Sequence, residues 1–482
     1  MTQTSIKSLP SRYEPLIGLF GEGAKNTFVN QTEDLREIVR LISQIESAYQ
    51  GKLQFIYSET KSGAGKTTFI QSLDRFLPNL VESVIRVTND GGDPLNTILT
   101  SIRNNNETKK LKVFNLDGHE SFIYTDDQYR NFLVQLNNLL RARQDILVLW
   151  PVNDFLFAER IVSILTSVGG NSPFGNNPIY RMRGLLSTQF PSVLEGILKI
   201  ANWRLEDAAL SWDEVDNVTK HSTNIGEYLD KVQVAIAQRF DVNQIGFEPP
   251  HVIFALSSGK AEVREICRSV RRADSFYLEA SRLLMYTTQS NVVEWWHTRN
   301  SQPKTSLSYV ISLFNAQLVS VSGSAVVHAV HNFGSEELSS LITGVTKNLG
   351  NAQTTIKSTE LYKYSTGEGA DKNTYGKPPK DETVSSYYKI QEKSKQKHKE
   401  INIAIMGLIE KAEGGFTNTK YESYEGGLKK GLLVDVVTEI NYSPCFIEFH
   451  HKSEAETNEN KITIYILKKL KEYAINYQIS PP

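Results

Sequence analysis

Between Ser58 and Thr68 the chain reads Ser-Glu-Thr-Lys-Ser-Gly-Ala-Gly-Lys-Thr-Thr. Gly63 and Gly65 lack a Cβ, so the backbone can take positive φ and approach an anion closely. Backbone N–H groups over Ser62, Gly63, Ala64, Gly65, Lys66, Thr67 and Thr68 would then surround phosphate oxygens, and a helix starting here would point its positive end at the same anion. Lys66 supplies a mobile positive charge for the β- and γ-phosphates of a nucleotide. The Thr67 hydroxyl supplies a ligand for magnesium. The flanks suit this chemistry. An apolar strand-like run, Leu53 to Tyr57, leads into the loop, and Phe69, Ile70, Leu73 and Phe76 follow at helical spacing.

A second set of chemically capable residues lies near the C-terminal end. Asp435 sits in the run Gly431 to Val437, and Glu448, His450 and Lys452 in the run Phe446 to Lys452. Both runs read as strands. Side chains alternate along a strand, so Glu448, His450 and Lys452 share one face and Ile447 and Phe449 the other. Asp435 can stand beside Glu448 on the adjacent strand. Two such carboxylates repel unless a divalent cation lies between them. That cation can activate water and stabilise charge on a scissile phosphate. The alternative is a structural α/β module whose carboxylates are solvated.

These residues need elements to position them. After the glycine-rich loop, apolar runs at Val84 to Val87, Val113 to Leu116 and Ile146 to Trp150 alternate with helical patterns. That order predicts an α/β fold with a parallel sheet flanked by helices. Its core is expected over residues 1–170. A mainly helical middle region follows over 171–358. Residues 359–399 are rich in Lys, Gly, Ser, Thr and Pro and read as a linker. A separate α/β module is expected over 400–482, in the order helix, strand, strand, strand, helix. In the middle region Arg264, Arg268, Arg271 and Arg272 recur at helical spacing. They read as a solvated face or, alternatively, as a nucleotide- or nucleic-acid-facing helix.

Composition narrows the classes. The net charge is −1, so any nucleic-acid site must come from a local patch rather than a global field. The two cysteines, Cys267 and Cys445, have neither zinc nor disulfide-framework spacing. No apolar run approaches membrane-spanning length. A cytoplasmic protein without a membrane partner is the expectation.

The loop resembles the Walker A motif of P-loop NTPases, with Thr60 where the pattern has its first glycine. It is most similar to the AAA+ and STAND branches. That resemblance implies ATP or GTP as ligand, with Mg2+, and an acid at the end of a neighbouring strand. Asp117 is the preferred acid and Asp154 its rival; Asn153 would resemble the polar sensor residue on the next strand. Arg160, Arg181 and Arg183 are candidate arginine fingers or plain surface arginines. The C-terminal order resembles the PD-(D/E)xK nuclease core, which implies that Asp435 and Glu448 bind a metal ion. His450 occupies the lysine position of that motif. Lys452, one pleat further, would substitute, or else the site is degenerate. Together the two halves resemble prokaryotic antiviral defence ATPase-nucleases. The expected function is an ATP-regulated, metal-dependent DNA nuclease acting against phage or plasmids, as a homo-oligomer and with a possible partner defence protein. The alternatives are an ATPase that regulates or loads a separate effector, and a DNA-binding transposition or repair ATPase. Lys461, Lys468, Lys469 and Lys471 on the last helix are candidate phosphate contacts.

Overall fold

The structure is a computed structural model. It describes residues 10, 12–29, 31–60, 63–88, 94–103, 110–119, 125–259, 263–286, 290–370, 379–394, 398–425 and 432–481. The candidate residue Ser62 lies outside the described residues. The chain forms two compact units. One comprises Ser8–Trp203 and Trp212–Ala235, the other chiefly Arg204–Ser211 and Ile236–Pro482.

The first unit is built on five strands: β1 (Lys52–Tyr57), β2 (Val81–Arg86), β3 (Leu111–Asn115), β4 (Ile146–Val152) and β5 (Phe174–Arg181). Their order in the sheet is β2-β3-β4-β1-β5, and every pairing is parallel. β1, β3 and β4 are buried throughout or nearly so, as expected of strands covered by helices on both faces. On one face Leu53, Phe55, Val148 and Trp150 pack with Leu133 and Leu136 of helix Asp126–Ala142 and with Phe157 and Ile161 of helix Phe155–Gly169. On the other, Ile56, Leu147 and Leu149 pack with helix Thr32–Ala48 and with Phe69 and Ile70 of helix Lys66–Gln71.

Strand order also explains where a ligand would go. The chain leaves β1 for the far edge strand β2, but leaves β4 for β5 on the opposite side of β1. The helices that follow β1 and β4 therefore lie on opposite faces, and a crevice opens between the carboxyl ends of these two strands. β5 was not anticipated. Its Gly175-Asn176-Asn177-Pro178 stretch carries turn residues, and as an edge strand it needs few apolar positions.

The second unit contains β6 (His251–Ser258), β7 (Gln317–Ser322), β8 (Phe416–Glu425), β9 (Leu432–Ile440) and β10 (Ser443–Lys452). The sheet order is β7-β6-β10-β9-β8. β7, β6 and β10 run parallel, while β9 and β8 pair antiparallel. The expected helix-strand-strand-strand-helix order is present, from helix His398–Lys411 to helix Glu459–Asn476. It is not a self-contained sheet, however. β6 and β7 come from the region read as mainly helical, and β10 depends on β6 for one of its two neighbours. The Val-Ile-Phe-Ala-Leu core of β6 is buried at every position. A continuous apolar run of this kind is told from a buried helix segment only by its context, and here no regular alternation of strand and helix patterns surrounds it.

Two further expectations change. The stretch 359–399, read as a linker, carries helices Glu360–Ser365 and Asp381–Lys393; 371–378 and 395–397 lie outside the described residues. Tyr387 and Ile390 belong to the same core as β6 and β10. Of the four arginines, Arg271 and Arg272 lie past the end of helix Val263–Ser269 and are buried. Arg271 reaches Glu360 with two hydrogen bonds of 2.9 and 3.0 Å, and Arg272 pairs with Asp207 at 2.8 Å. Among the described residues no helix is long and apolar enough to cross a membrane. Both cysteines are buried.

Candidate functional site

The crevice of the first unit holds the glycine-rich loop. Gly63 and Gly65 take φ of +87° and +85°, the left-handed region that an L-residue with a Cβ enters at a cost. Lys66 begins the helix that follows, which is short, runs to Gln71 and turns at Ser72 into a second short helix, Leu73–Phe76. Gly63, Ala64, Gly65, Lys66, Thr67 and Thr68 all line a cleft of about 440 Å³, within the size range of small-molecule sites. Val29, Leu185, Val193, Ile197, Ile225 and Leu229 give this cleft an apolar wall. The Gly226 N–H donates to the Gly63 carbonyl at 3.0 Å, so the start of helix Ile225–Arg239 is fastened to the loop.

Polar groups from three strand ends converge here. Lys66 Nζ donates to Asn153 Oδ1 at 2.8 Å, and Asn153 directly follows β4. Thr67 Oγ1 donates to Asp117 Oδ1 at 3.0 Å, and Asp117 lies just past β3. Arg86, the last residue of β2, donates from Nε to Asp117 Oδ2 at 2.6 Å and from Nη2 to Glu14 at 2.8 Å. Asp154 has a different task. Its side chain accepts the Leu156 N–H at 2.9 Å and caps helix Phe155–Gly169. The acid beside the loop threonine is therefore Asp117. The three candidate finger arginines each have an acid nearby. Arg160 pairs with Asp126 at 2.6 Å. Arg181 pairs with Glu59 at 3.0 Å and covers the Phe155 ring. Arg183 lies 3.9 Å from Glu33. Arg86 and Glu14 were not singled out from sequence; an arginine ending the Val81–Arg86 strand was the only available signal.

The donor set fits a magnesium nucleotide. Glycines at positive φ leave the backbone open to an anion, a lysine lies beside them, and a hydroxyl and a carboxylate lie together in hydrogen-bond contact. Oxygen donors of this kind suit a hard cation that keeps most of its water.

The acid cluster of the second unit is arranged around β9, β10 and the last helix. The paired register ends with Phe446↔Val437 and Ile447↔Val436; Glu448 and Asp435 are the next residue on each strand, which places both on the face opposite Ile447 and Val436. Asp435 Oδ2 accepts the Phe449 N–H at 2.8 Å. Glu448 is fully buried; Tyr473 donates its hydroxyl to Oε1 at 2.9 Å, and Lys469 Nζ lies 3.1 Å from Oε2. Burial, reinforced by Asp435 and opposed by Lys469, pushes the Glu448 carboxyl up to about 7. Burial likewise raises Asp435. Burial lowers Lys469, but Glu448, Glu472 and Asp435 together outweigh it and hold that ammonium above its ordinary value.

His450 and Lys452 do share the Glu448 face, but their contacts lie elsewhere. His450 stacks flat on Tyr465, with ring centroids 3.7 Å apart, and burial pushes its imidazole down to about 2. Lys452 is buried, lies 4.0 Å from Glu456 and covers the Tyr465 ring; burial lowers it to about 8. The cation that touches Glu448 is Lys469, which the sequence offers only as a candidate phosphate contact. Lys469 lies about three helical turns into a helix, where no strand period relates it to Glu448. Among the described residues no group of three or more His, Cys, Asp or Glu side chains could hold a metal ion. Two carboxylates would need a cation that takes its remaining ligands from water and phosphate, as magnesium commonly does, and with Glu448 fully buried and both its oxygens engaged such a cation would have to displace Lys469 and open the site. No protein-family model matches this chain, and no curated protein matches it by sequence.

Proposed function

We propose that the first unit binds ATP or GTP with magnesium and hydrolyses it. The observation that carries this reading is the pair of contacts Lys66–Asn153 and Thr67–Asp117, assembled at the carboxyl ends of parallel strands around a loop with two positive-φ glycines. The strand order, in which β4 separates the loop strand from the acid strand, supports the AAA+/STAND-like variant. In this reading the loop N–H groups and Lys66 bind the phosphates. Asn153 holds the Lys66 ammonium and orients the water that attacks the γ-phosphate. Thr67 and Asp117 would hold the magnesium ion, which supplies charge neutralisation to the phosphate oxygens as the bond breaks. The apolar wall of the cleft excludes water from the base end. Phosphate release by the purified full chain tests the proposal. Hydrolysis is expected to need magnesium and to disappear in Lys66→Ala; activity that survives this substitution would sink it.

A second reading concerns the other unit, and the close grouping of Asp435, Glu448 and Lys469 favours it. Here the two carboxylates would hold a divalent cation, which would supply the charge needed to activate water for phosphodiester hydrolysis. Lys469 would balance the carboxylate charge and contact the phosphate. Tyr473 fixes the Glu448 carboxyl. The chain would then be a nucleotide-regulated DNA nuclease of prokaryotic defence. Incubation with supercoiled plasmid and Mg2+ or Mn2+ separates the readings. Nicking that vanishes in Asp435→Ala and Glu448→Ala supports a nuclease; nucleotide hydrolysis without nicking leaves an ATPase that regulates another effector.

A further inference from the structure

The acid beside the loop is already occupied by a positive charge. Asp117 is 6% exposed, and its two oxygens are both engaged: Oδ1 by the Thr67 hydroxyl at 3.0 Å and Oδ2 by Arg86 Nε at 2.6 Å. The same guanidinium has a second acid within reach, Glu14 at 2.8 Å, in the first turn of helix Tyr13–Phe20. Arg86 is thus shared between a buried carboxylate and a half-exposed one. A rigid fork of N–H donors suits such a double engagement. A cation delivered to Thr67 and Asp117 would lie near this guanidinium, and two like charges there repel.

We propose that Arg86 is a positioning residue that stands in for the metal ion: it holds and neutralises Asp117 while magnesium is absent, and Glu14 retains it when Asp117 turns to the cation. The proposal rests on the nucleotide reading given above. Two consequences follow from charge alone. Without Arg86 the Asp117 carboxylate keeps only the Thr67 hydroxyl and loses its balancing positive charge; it repels a metal-free triphosphate and attracts a metal-bound one. Without the Glu14 charge Arg86 has only Asp117, and the cation competes less well. Loss of Arg86 and loss of Glu14 therefore change the magnesium dependence of nucleotide binding in opposite directions, which a merely structural salt bridge would not do.

The test uses the full chain and N-methylanthraniloyl-ATP, with affinity measured by fluorescence in EDTA and in saturating Mg2+. The quantity read is the affinity in Mg2+ divided by the affinity in EDTA, which equals the coupling between metal and nucleotide. Arg86→Gln is expected to raise this ratio about three- to fivefold and Glu14→Gln to lower it by a similar factor, the scale of a partly exposed ion pair. An unchanged or reduced ratio in Arg86→Gln, or a raised one in Glu14→Gln, overturns the proposal. Should Arg86→Gln fail to fold, the Glu14→Gln arm decides alone, because Glu14 is half exposed and its removal leaves Asp117 paired. Wild-type protein that binds the nucleotide equally with and without Mg2+ overturns the magnesium-nucleotide reading and the Arg86 proposal with it. Magnesium-dependent wild-type binding with an unchanged Arg86→Gln ratio overturns the Arg86 proposal alone.

Discussion

Replacing Glu448 by Gln removes a buried ionisable group while keeping the shape of the side chain and an oxygen for the Tyr473 hydroxyl. The Glu448 carboxyl rises from 4.5 to about 7 on folding. A group whose acid form is favoured in the folded state contributes its full stability below its unfolded value, and that contribution is lost as pH rises through the folded one. At about 1.4 kcal/mol per pH unit, the interval amounts to about 3 kcal/mol between pH 4.5 and pH 8. The side chain is fully buried, so solvent screening does not reduce this figure. His450 and His451, pushed down to about 2 and about 3 by burial, act in the opposite sense below pH 6.5. Both are present in wild type and variant, so the difference between the two proteins isolates Glu448. Hydrogen exchange of peptides covering β10 and helix Glu459–Asn476 reports the local opening free energy. The Gln variant should gain about 3 kcal/mol on wild type between pH 4.5 and pH 8, most of it by pH 7. A difference that stays flat across this range, or slopes the other way, refutes the idea that the acid is held neutral by burial.

Asn153→Ala should lower kcat for nucleotide hydrolysis by about a hundredfold, the scale of removing one oriented polar group, and change nucleotide affinity little; steady-state phosphate release against fluorescent nucleotide binding checks this. Gly63→Ala should weaken nucleotide binding, because φ is +87° and the new Cβ would lie 2.7 Å from Asn224 Oδ1; titration of the variant with the fluorescent nucleotide reads it. Glu360→Ala should destabilise the second unit by about 3–5 kcal/mol, since it leaves the buried Arg271 charge without its carboxylate. Urea denaturation measures that loss, and a double replacement of Arg271 and Glu360 by apolar residues should recover much of it.

The legibility of this chain followed the range of the interactions. The first parallel sheet could be read because β1, β3 and β4 are short apolar runs separated by helical patterns. Asp117 and Asn153 could be ranked because each ends such a run. Asp154 was a rival for the same reason, and only its cap contact with Leu156 assigned it. The boundary near 400 was misjudged because Glu360 and Tyr387 look like linker residues until their partners, Arg271 and Ser257, are brought to them.

Sequence alone determined the glycine-rich loop, its lysine and threonine, and the alternation that puts Glu448, His450 and Lys452 on one face. These depend on φ preference, dipole direction and strand period, which act over a few residues. Tertiary structure decided which charges meet. Arg86 reaches Asp117 across 31 positions of chain, and Lys469, not Lys452, reaches Glu448 because a helix lies over the sheet. Such contacts are fixed by how whole elements pack to bury their apolar faces, and no local spacing encodes them.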